Sequence, residues 1–367
     1  MAYAYTANYS DNSVTEINLS TFATVGSALT VGSNPRSIAI DPTGTYAYVA
    51  NHGDNSVTKI NLSTFLTVGS ALTVGSGPVS IAIDPTGTYA YVANYGDNSV
   101  TKINLSTFAT VGSALTVGSG PYSIAIDPAG AYAYTANGDS TVSKINLSTF
   151  LTVGSALAVG SNPLSIAIDP AGAYAYVANY YDSTVSKINL STFLTVGSAL
   201  AVGSNPRSIA IDPTGTYAYT VKQGGTVTKI NLSTFLTVGS ALAVGSNPLS
   251  IAIDPTGTYA YTANYGASTV TEINLSTFAT VGSALTVGSG PYSIAIAPST
   301  GYSASASETV TVTESATGAI GVGASASASV SVSGTAAGVV TTTVAGTGSE
   351  TVTVVGVATA AIGIPAT

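Results

Sequence analysis

The side chains that do most enzyme chemistry are scarce in this chain. It has no cysteine, so thiol catalysis, thiolate metal sites and a disulfide framework have nothing to be built from. Its single histidine, His52, has no repeated partner and only Asp54 as a nearby acid, which reads as an exposed loop residue. Six aspartates, Asp41, Asp84, Asp127, Asp169, Asp212 and Asp254, recur in Asp-Pro-Thr-Gly or Asp-Pro-Ala-Gly, and the seventh equivalent position is Ala297. A ring of carboxylates could attract cations. Calcium, however, needs about 6–8 close oxygens, and an aspartate at the head of such a turn accepts the turn's own N–H groups. No catalytic residue, metal ligand or cofactor site is assigned, and the chain is expected not to be an enzyme.

Two further residue sets could act by binding. The position after the first proline of each repeat varies: Arg36, Val79, Tyr122, Leu164, Arg207, Leu249, Tyr292. A second variable position carries Tyr9, His52, Tyr95, Gly138, Tyr180, Gln223 and Tyr265. Tyrosine and arginine are enriched at contact hot spots, so Arg36, Tyr122, Arg207, Tyr292, Tyr95, Tyr180 and Tyr265 form a candidate ligand- or partner-binding set. The competing reading is drift at exposed loop tips. The other set is Asn-Leu-Ser, at Asn18, Asn61, Asn104, Asn146, Asn189, Asn231 and Asn274, with Asn8-Tyr9-Ser10 as an eighth sequon. These are candidate N-glycosylation acceptors, or side chains that cap a turn joining two strands.

The elements that must position these residues follow from a repeat. Ile-Asn-Leu-Ser-Thr-Phe starts at residues 17, 60, 103, 145, 188, 230 and 273, and all seven phenylalanines lie in it. Fourteen of the fifteen prolines flank the seven Ser-Ile-Ala-Ile segments, which confirms seven copies. Within one copy, Val79–Ile83 is a β-branched run, Asp84 to Gly87 a tight turn, and Tyr89–Ala93 a strand of alternating large and small residues. Ser99–Leu105 and Ala109–Val117 make a third and fourth strand, and no helical stripe intervenes. Four short strands per copy of about 40–45 residues is one propeller blade. The fold class is therefore all-β, a seven-bladed β-propeller over residues 1–298. The chain starts at the second strand of a blade, so a mixed first blade is expected, its inner strand supplied by residues 292–297. Glu16 and Glu272 replace the lysine of the other five copies and would give an acidic sector opposite a basic arc on the surface.

Pro-x-Ser-Ile-Ala-Ile-Asp-Pro-Thr-Gly-Thr-Tyr-Ala-Tyr-Val-Ala-Asn, followed by Ser-Val-Thr-Lys-Ile-Asn, resembles the YVTN family of β-propeller repeats. YVAN occurs at Tyr48–Asn51, Tyr91–Asn94 and Tyr176–Asn179, and the likeness covers about residues 1–298. That family is common in surface-layer and secreted proteins of archaea and bacteria, so the resemblance implies a cell-surface or extracellular setting. Fold is far better supported than function by such a likeness.

Beyond Pro298 the composition changes. Residues 301–367 have no Lys, Arg, Asp or Phe and alternate Ala, Ser, Thr and Val. Residues 299–367 are expected to form a small β domain used for assembly, since uncharged strand edges invite strand addition.

The net charge of −8 argues against a nucleic-acid partner, and no apolar run is long enough for a membrane-spanning helix. No secretion signal is visible ahead of the first strand, so export would rest on a processed or recombinant form of the chain or on another route. The leading expectation is an extracellular structural or adhesive protein that self-assembles into a filament or surface layer through its C-terminal domain. The alternative is a monomeric binding module that recognises a glycan or protein on its variable face. An enzyme of the lactonase or cofactor-bearing type ranks last, because such propellers need clustered His, Arg or acids over the channel mouth.

Overall fold

A computed structural model describes residues 2–298 and four short strands further on. The repeat folds blade by blade for reasons visible in any one copy. In blade 3 the inner strand Pro78–Ile83, the second strand Tyr89–Asn94 and the third strand Ser99–Asn104 pair antiparallel in sequence order. The turn between the first two closes through Gly87 N–H to the Asp84 carbonyl at 2.9 Å, with Gly87 at φ 69°. The Asp84 carboxylate accepts from Thr86 Oγ1, Thr88 N and Tyr89 N at 2.8, 2.9 and 3.0 Å. Its oxygens are engaged by its own turn, as the capping reading expects.

The second strand is buried on both faces because blades stack face to face. Tyr48 and Ala50 of blade 2 pack with Ala90, Val92 and Ile103 of blade 3, and the same large-on-small contact recurs around the ring. Ring contacts reinforce it. Tyr48 lies 6.0 Å from Phe108 of the next blade, and six further pairs repeat this within 0.1 Å. All seven phenylalanines occupy the left-handed region, with φ from 46° to 52°. That conformation costs a side-chain-bearing residue about 1–2 kcal/mol, and here the aromatic contact between blades offsets it.

Blade 1 is mixed, as expected. Tyr3–Asn8 pairs with Ser13–Asn18 on one side and with Pro291–Ile296 on the other, so the ring closes by hydrogen bonds alone. The inner strands neighbour one another around the channel, and Ser37 Oγ accepts Ile81 N–H of the next blade at 3.2 Å. Equivalent serine bridges start at Ser80, Ser123, Ser165 and Ser250.

Two expectations need correction. The outer strand is continuous only in blades 1 and 6, at Ala23–Thr30 and Leu236–Ala243. In the other five blades it breaks into two dipeptide ladders, such as Ala109–Thr110 and Leu115–Thr116. A glycine at positive φ, Gly112 in this copy, lies between the two ladders, and Gly26 and Gly239 take positive φ within the two continuous strands as well. The charged positions of the third strand are also not a surface pattern. Glu16 and Glu272 are each 8% exposed, and Lys59 is 9% exposed. Lys59 Nζ sits 4.0 Å from the Tyr46 ring centre and donates to the Leu105 carbonyl of the next blade at 3.3 Å. Lys102, Lys144, Lys187 and Lys229 do the same. Glu16 and Glu272 instead accept from Tyr5 OH and Tyr261 OH, each at 2.9 Å.

The chain divides into two units at Pro298 and Ser299. In the second, Ile320–Ala324 pairs parallel with Val340–Val344, and Ser331–Val332 with Thr353–Val354. The rest of the expected small β domain lies outside the described residues.

Candidate functional site

Each inner strand begins with proline, the variable residue and serine, and the seven variable residues and seven serines together line one mouth of the channel. The lining is Arg36, Val79, Tyr122, Leu164, Arg207, Leu249 and Tyr292 alternating with Ser37, Ser80, Ser123, Ser165, Ser208, Ser250 and Ser293. It encloses about 130 Å³. A water needs about 10–15 Å³ of such space, so the open mouth admits a carboxylate or phosphate group together with several waters.

The second variable position lies on the same face. The loop between second and third strands hydrogen-bonds back to the loop that leads into the inner strand of its own blade: Tyr95 N–H to Gly77 O at 2.9 Å, Tyr180 N–H to Asn162 O at 3.0 Å. The variable side chains then meet across blade boundaries. Tyr95 stacks on Tyr122 at 4.8 Å between ring centres. Tyr9, Tyr265 and Tyr292 form a cluster with centres 5.8 to 6.3 Å apart. Arg36 lies 5.3 Å from the Tyr292 ring and 5.5 Å from the Tyr9 ring, and Arg207 lies 4.6 Å from that of Tyr180. Tyr180 OH also hydrogen-bonds Gln223 Oε1. All seven residues of the sequence-derived set thus sit on one face, four lining the mouth and three flanking it. Loop tips drifting independently would not predict that packing.

The electrostatics are one-sided. Arg36 and Arg207 belong to blades 2 and 6, nearly opposite in a ring of seven, and no acidic residue lines the mouth. The Nε atom of each arginine is buried and makes no hydrogen bond. Burial, hydrogen bonding to Tyr95 and the nearby Tyr95 and Tyr292 push the Tyr122 phenol well above its ordinary range, so it stays a neutral donor. Burial and the Arg36 cation push His52 down, so its imidazole is neutral near pH 7. In sequence His52 looks like a bland loop residue, and only the three-dimensional neighbourhood of Arg36 distinguishes it. The serine ring also escapes the sequence reading, although a polar residue opening a buried Ser-Ile-Ala-Ile strand in every copy is a signal for it.

The seven Asn-Leu-Ser candidates occupy a different end of the blades, whereas the eighth, Asn8, lies at the mouth end and is fully buried. Asn61 Oδ1 accepts Ser63 N and Thr64 N at 3.0 and 3.1 Å, and each of the other six copies caps its turn with the same two backbone bonds. Among the described residues no group of three or more His, Cys, Asp or Glu is placed to hold a metal ion. Among them no helix is long and apolar enough to cross a membrane.

Comparison with known proteins bears on this site. Residues 191–293 match the family described as Lactonase, 7-bladed beta-propeller. No curated protein sequence matches the chain. Among solved structures, hydrazine synthase of Kuenenia stuttgartiensis is similar at 22% identity and a TM-score of 0.67, over 74% of this chain and 91% of that one. A protein of Bacteroides fragilis provisionally assigned as a 6-phosphogluconolactonase is similar at 16% identity and a TM-score of 0.69, over 80% and 97%. A second protein with the same provisional assignment, from Bacteroides uniformis, gives 14% and 0.68, over 80% and 99%. At these identities the structural likeness shows the fold, a seven-bladed propeller of the kind lactonases use. The expectation that the chain is not an enzyme is corrected: the match of residues 191–293 to a lactonase family points toward an enzyme. That expectation counted reactive residues along the chain, whereas a propeller gathers one residue from each blade at a single mouth.

Proposed function

We propose that the channel mouth binds the anionic group of a hydroxylated sugar acid, and that the reaction it serves is hydrolysis of the corresponding lactone. The observation that carries this reading is the pair of arginines, Arg36 and Arg207, lining a mouth with no carboxylate. A bound carboxylate or phosphate would meet two cations that no acid of the mouth opposes, and charge-assisted hydrogen bonds to them are the strong kind. The serine ring and the tyrosine hydroxyls supply donors and acceptors for the sugar. In the reaction, water attacks the lactone carbonyl, the ring ester bond breaks, and the ring oxygen leaves as an alcohol carrying a proton. His52, neutral and beside Arg36, is the described residue best suited to take the proton from that water. The test measures binding of gluconate, 6-phosphogluconate and uncharged glucose calorimetrically, and hydrolysis of gluconolactone and its 6-phosphate in a pH-stat. Binding of the anions alone, weakened about tenfold or more in Arg36→Gln and Arg207→Gln, is the expected result. Equal binding by these variants and the parent chain would sink the reading, and turnover surviving in His52→Ala would remove the histidine from it.

A second reading, that the chain is an extracellular surface protein that associates with itself, is favoured by the rim. Leu66, Leu151, Leu194 and Leu236 on the outer strands are 60 or 61% exposed, with Val68, Val153, Val196 and Val238 beside them. A repeated apolar belt next to unpaired strand edges suits contact with a second copy. Sedimentation at rising concentration tests it: a monomer throughout would exclude self-association.

A further inference from the structure

Five of the six lysines, Lys59, Lys102, Lys144, Lys187 and Lys229, share one role, in which each reaches over a tyrosine ring and donates to a carbonyl of the next blade. Lys222 does something else. It stands at the last position of a second strand, where the other six blades have Asn8, Asn51, Asn94, Asn137, Asn179 and Asn264. There the asparagine ties its strand to the next, as Asn94 Nδ2 does to Ser99 Oγ and Thr101 Oγ1 at 3.0 and 2.9 Å. In blade 6 that tie is gone, and Thr228 Oγ1 donates instead to the Val202 carbonyl at 3.1 Å.

The backbone has been reshaped around the amine. Gly203, the equivalent of Gly32, Gly75, Gly118, Gly160, Gly245 and Gly288, is the one member of that set at positive φ, 98°. A Cβ at Gly203 would stand 2.8 Å from Lys222 Nζ, and the positive φ there would strain any residue with a side chain. Lys222 is only 8% exposed, yet it lines a cavity of about 390 Å³ with Ser204, Asn205, Gln223, Gly224 and Thr226. None of these is acidic. A lysine buried without a carboxylate yet open to a polar cavity is the arrangement of a nucleophilic amine rather than of a structural cation.

We propose that Lys222 is a carbonyl-reactive amine that forms an imine with a small hydroxylated aldehyde entering this cavity. The neutral Nζ attacks the carbonyl carbon, a C–N bond forms, the carbonyl oxygen gains protons, and water leaves. Thr226, Asn205 and Gln223 supply hydrogen bonds for the aldehyde's hydroxyls. Burial pushes the Lys222 amine below its ordinary range, and no other charged group shifts it, so a larger neutral fraction is present near pH 7.

The test incubates the full chain with glycolaldehyde and cyanoborohydride, which traps the imine as a secondary amine, and maps the products by mass spectrometry. Lys222, which opens on the cavity, should be labelled about tenfold faster than any of the other five lysines, whose amines are held between blades on a carbonyl. Lys222→Asn restores the residue of the other six blades, so it should keep the parent melting temperature while labelling at the other five lysines is unchanged. Labelling of Lys222 at or below the rate of the others would overturn the proposal. Because the site does not use Arg36 or Arg207, labelling that persists in Arg36→Gln separates this proposal from the reading of the channel mouth.

Discussion

Replacing Glu16 and Glu272 together by glutamine should stabilise the propeller at pH 8 and flatten its dependence on pH. Both carboxyls are almost fully enclosed at the two interfaces that flank blade 1, where the other blades place a lysine. Each has one hydroxyl donor, from Tyr5 or Tyr261, at 2.9 Å. Burial raises both carboxyls above the usual range, with the tyrosine bond pulling the other way, and Asp254 adds to the rise at Glu272. The sign then follows. A carboxyl raised in the folded state binds its proton more tightly there than in the unfolded chain, so its stabilisation is complete below the ordinary value near 4.5 and is lost as pH climbs through the folded value. Glutamine keeps the shape and an oxygen for the tyrosine hydroxyl while removing the charge. Relieving one half-satisfied buried carboxylate is worth on the order of 1 kcal/mol, so the pair is worth about 2 kcal/mol at pH 8. At about 2.1 cal/mol/K of unfolding entropy per residue, over the nearly 300 residues of the propeller, that is roughly 3 °C in Tm. Calorimetric melting of parent and double variant from pH 4 to pH 8 measures it. A variant that melts below the parent at pH 8, or that keeps the parent's slope, would refute the assignment.

Two other predictions rest on the same blades. At Phe150, φ 51°, glycine should be tolerated better than alanine by about 1 kcal/mol, read from urea midpoints, although both lose the contact with Tyr91; alanine matching or exceeding glycine would contradict the left-handed assignment. Asp84→Ala should cost about 1–2 kcal/mol through the lost turn bonds, and millimolar calcium should leave the parent melting temperature unchanged, whereas a calcium-dependent rise would reassign the aspartates as ligands.

Much of the fold was legible because duplication writes the same turn chemistry seven times. Asp84-Pro85-Thr86-Gly87 named a turn, and the alternation of Tyr89–Ala93 named a strand with unlike faces, from local rules alone. The mixed first blade followed from where the repeat is cut. The outer strand misled because Ala109–Val117 reads as one β-branched run, whereas a register shift at its middle leaves only two dipeptides paired with the third strand. Lys59 and Glu16 were misplaced for a different reason. A charged residue alternating along a strand suggests solvent on one face, whereas a blade buries both faces, so the charge ends between sheets. The candidate site was half legible: variation among near-identical copies located Arg36, Tyr122, Arg207 and Tyr292, but not the serine ring, which does not vary. His52 and Lys222 gain their distinction from neighbours in other segments, His52 from Arg36 and Lys222 from Gly203, and no local spacing encodes that.

The seam in blade 1 has a consequence for how the ring is made. Until Pro291–Ile296 has been synthesised, Tyr3–Asn8 has an open edge, and six complete sheets must wait on a pairing between segments almost 290 residues apart. Closure is a latch thrown last, and loop entropy makes it slow. The latch is also not unique, since Pro121–Ile126 carries the same six residues, PYSIAI, as Pro291–Ile296. A nascent chain therefore holds a decoy for its own clasp, and so does every neighbouring copy. In the finished ring that decoy is held against Tyr132–Asn137 of blade 4, its edge already paired.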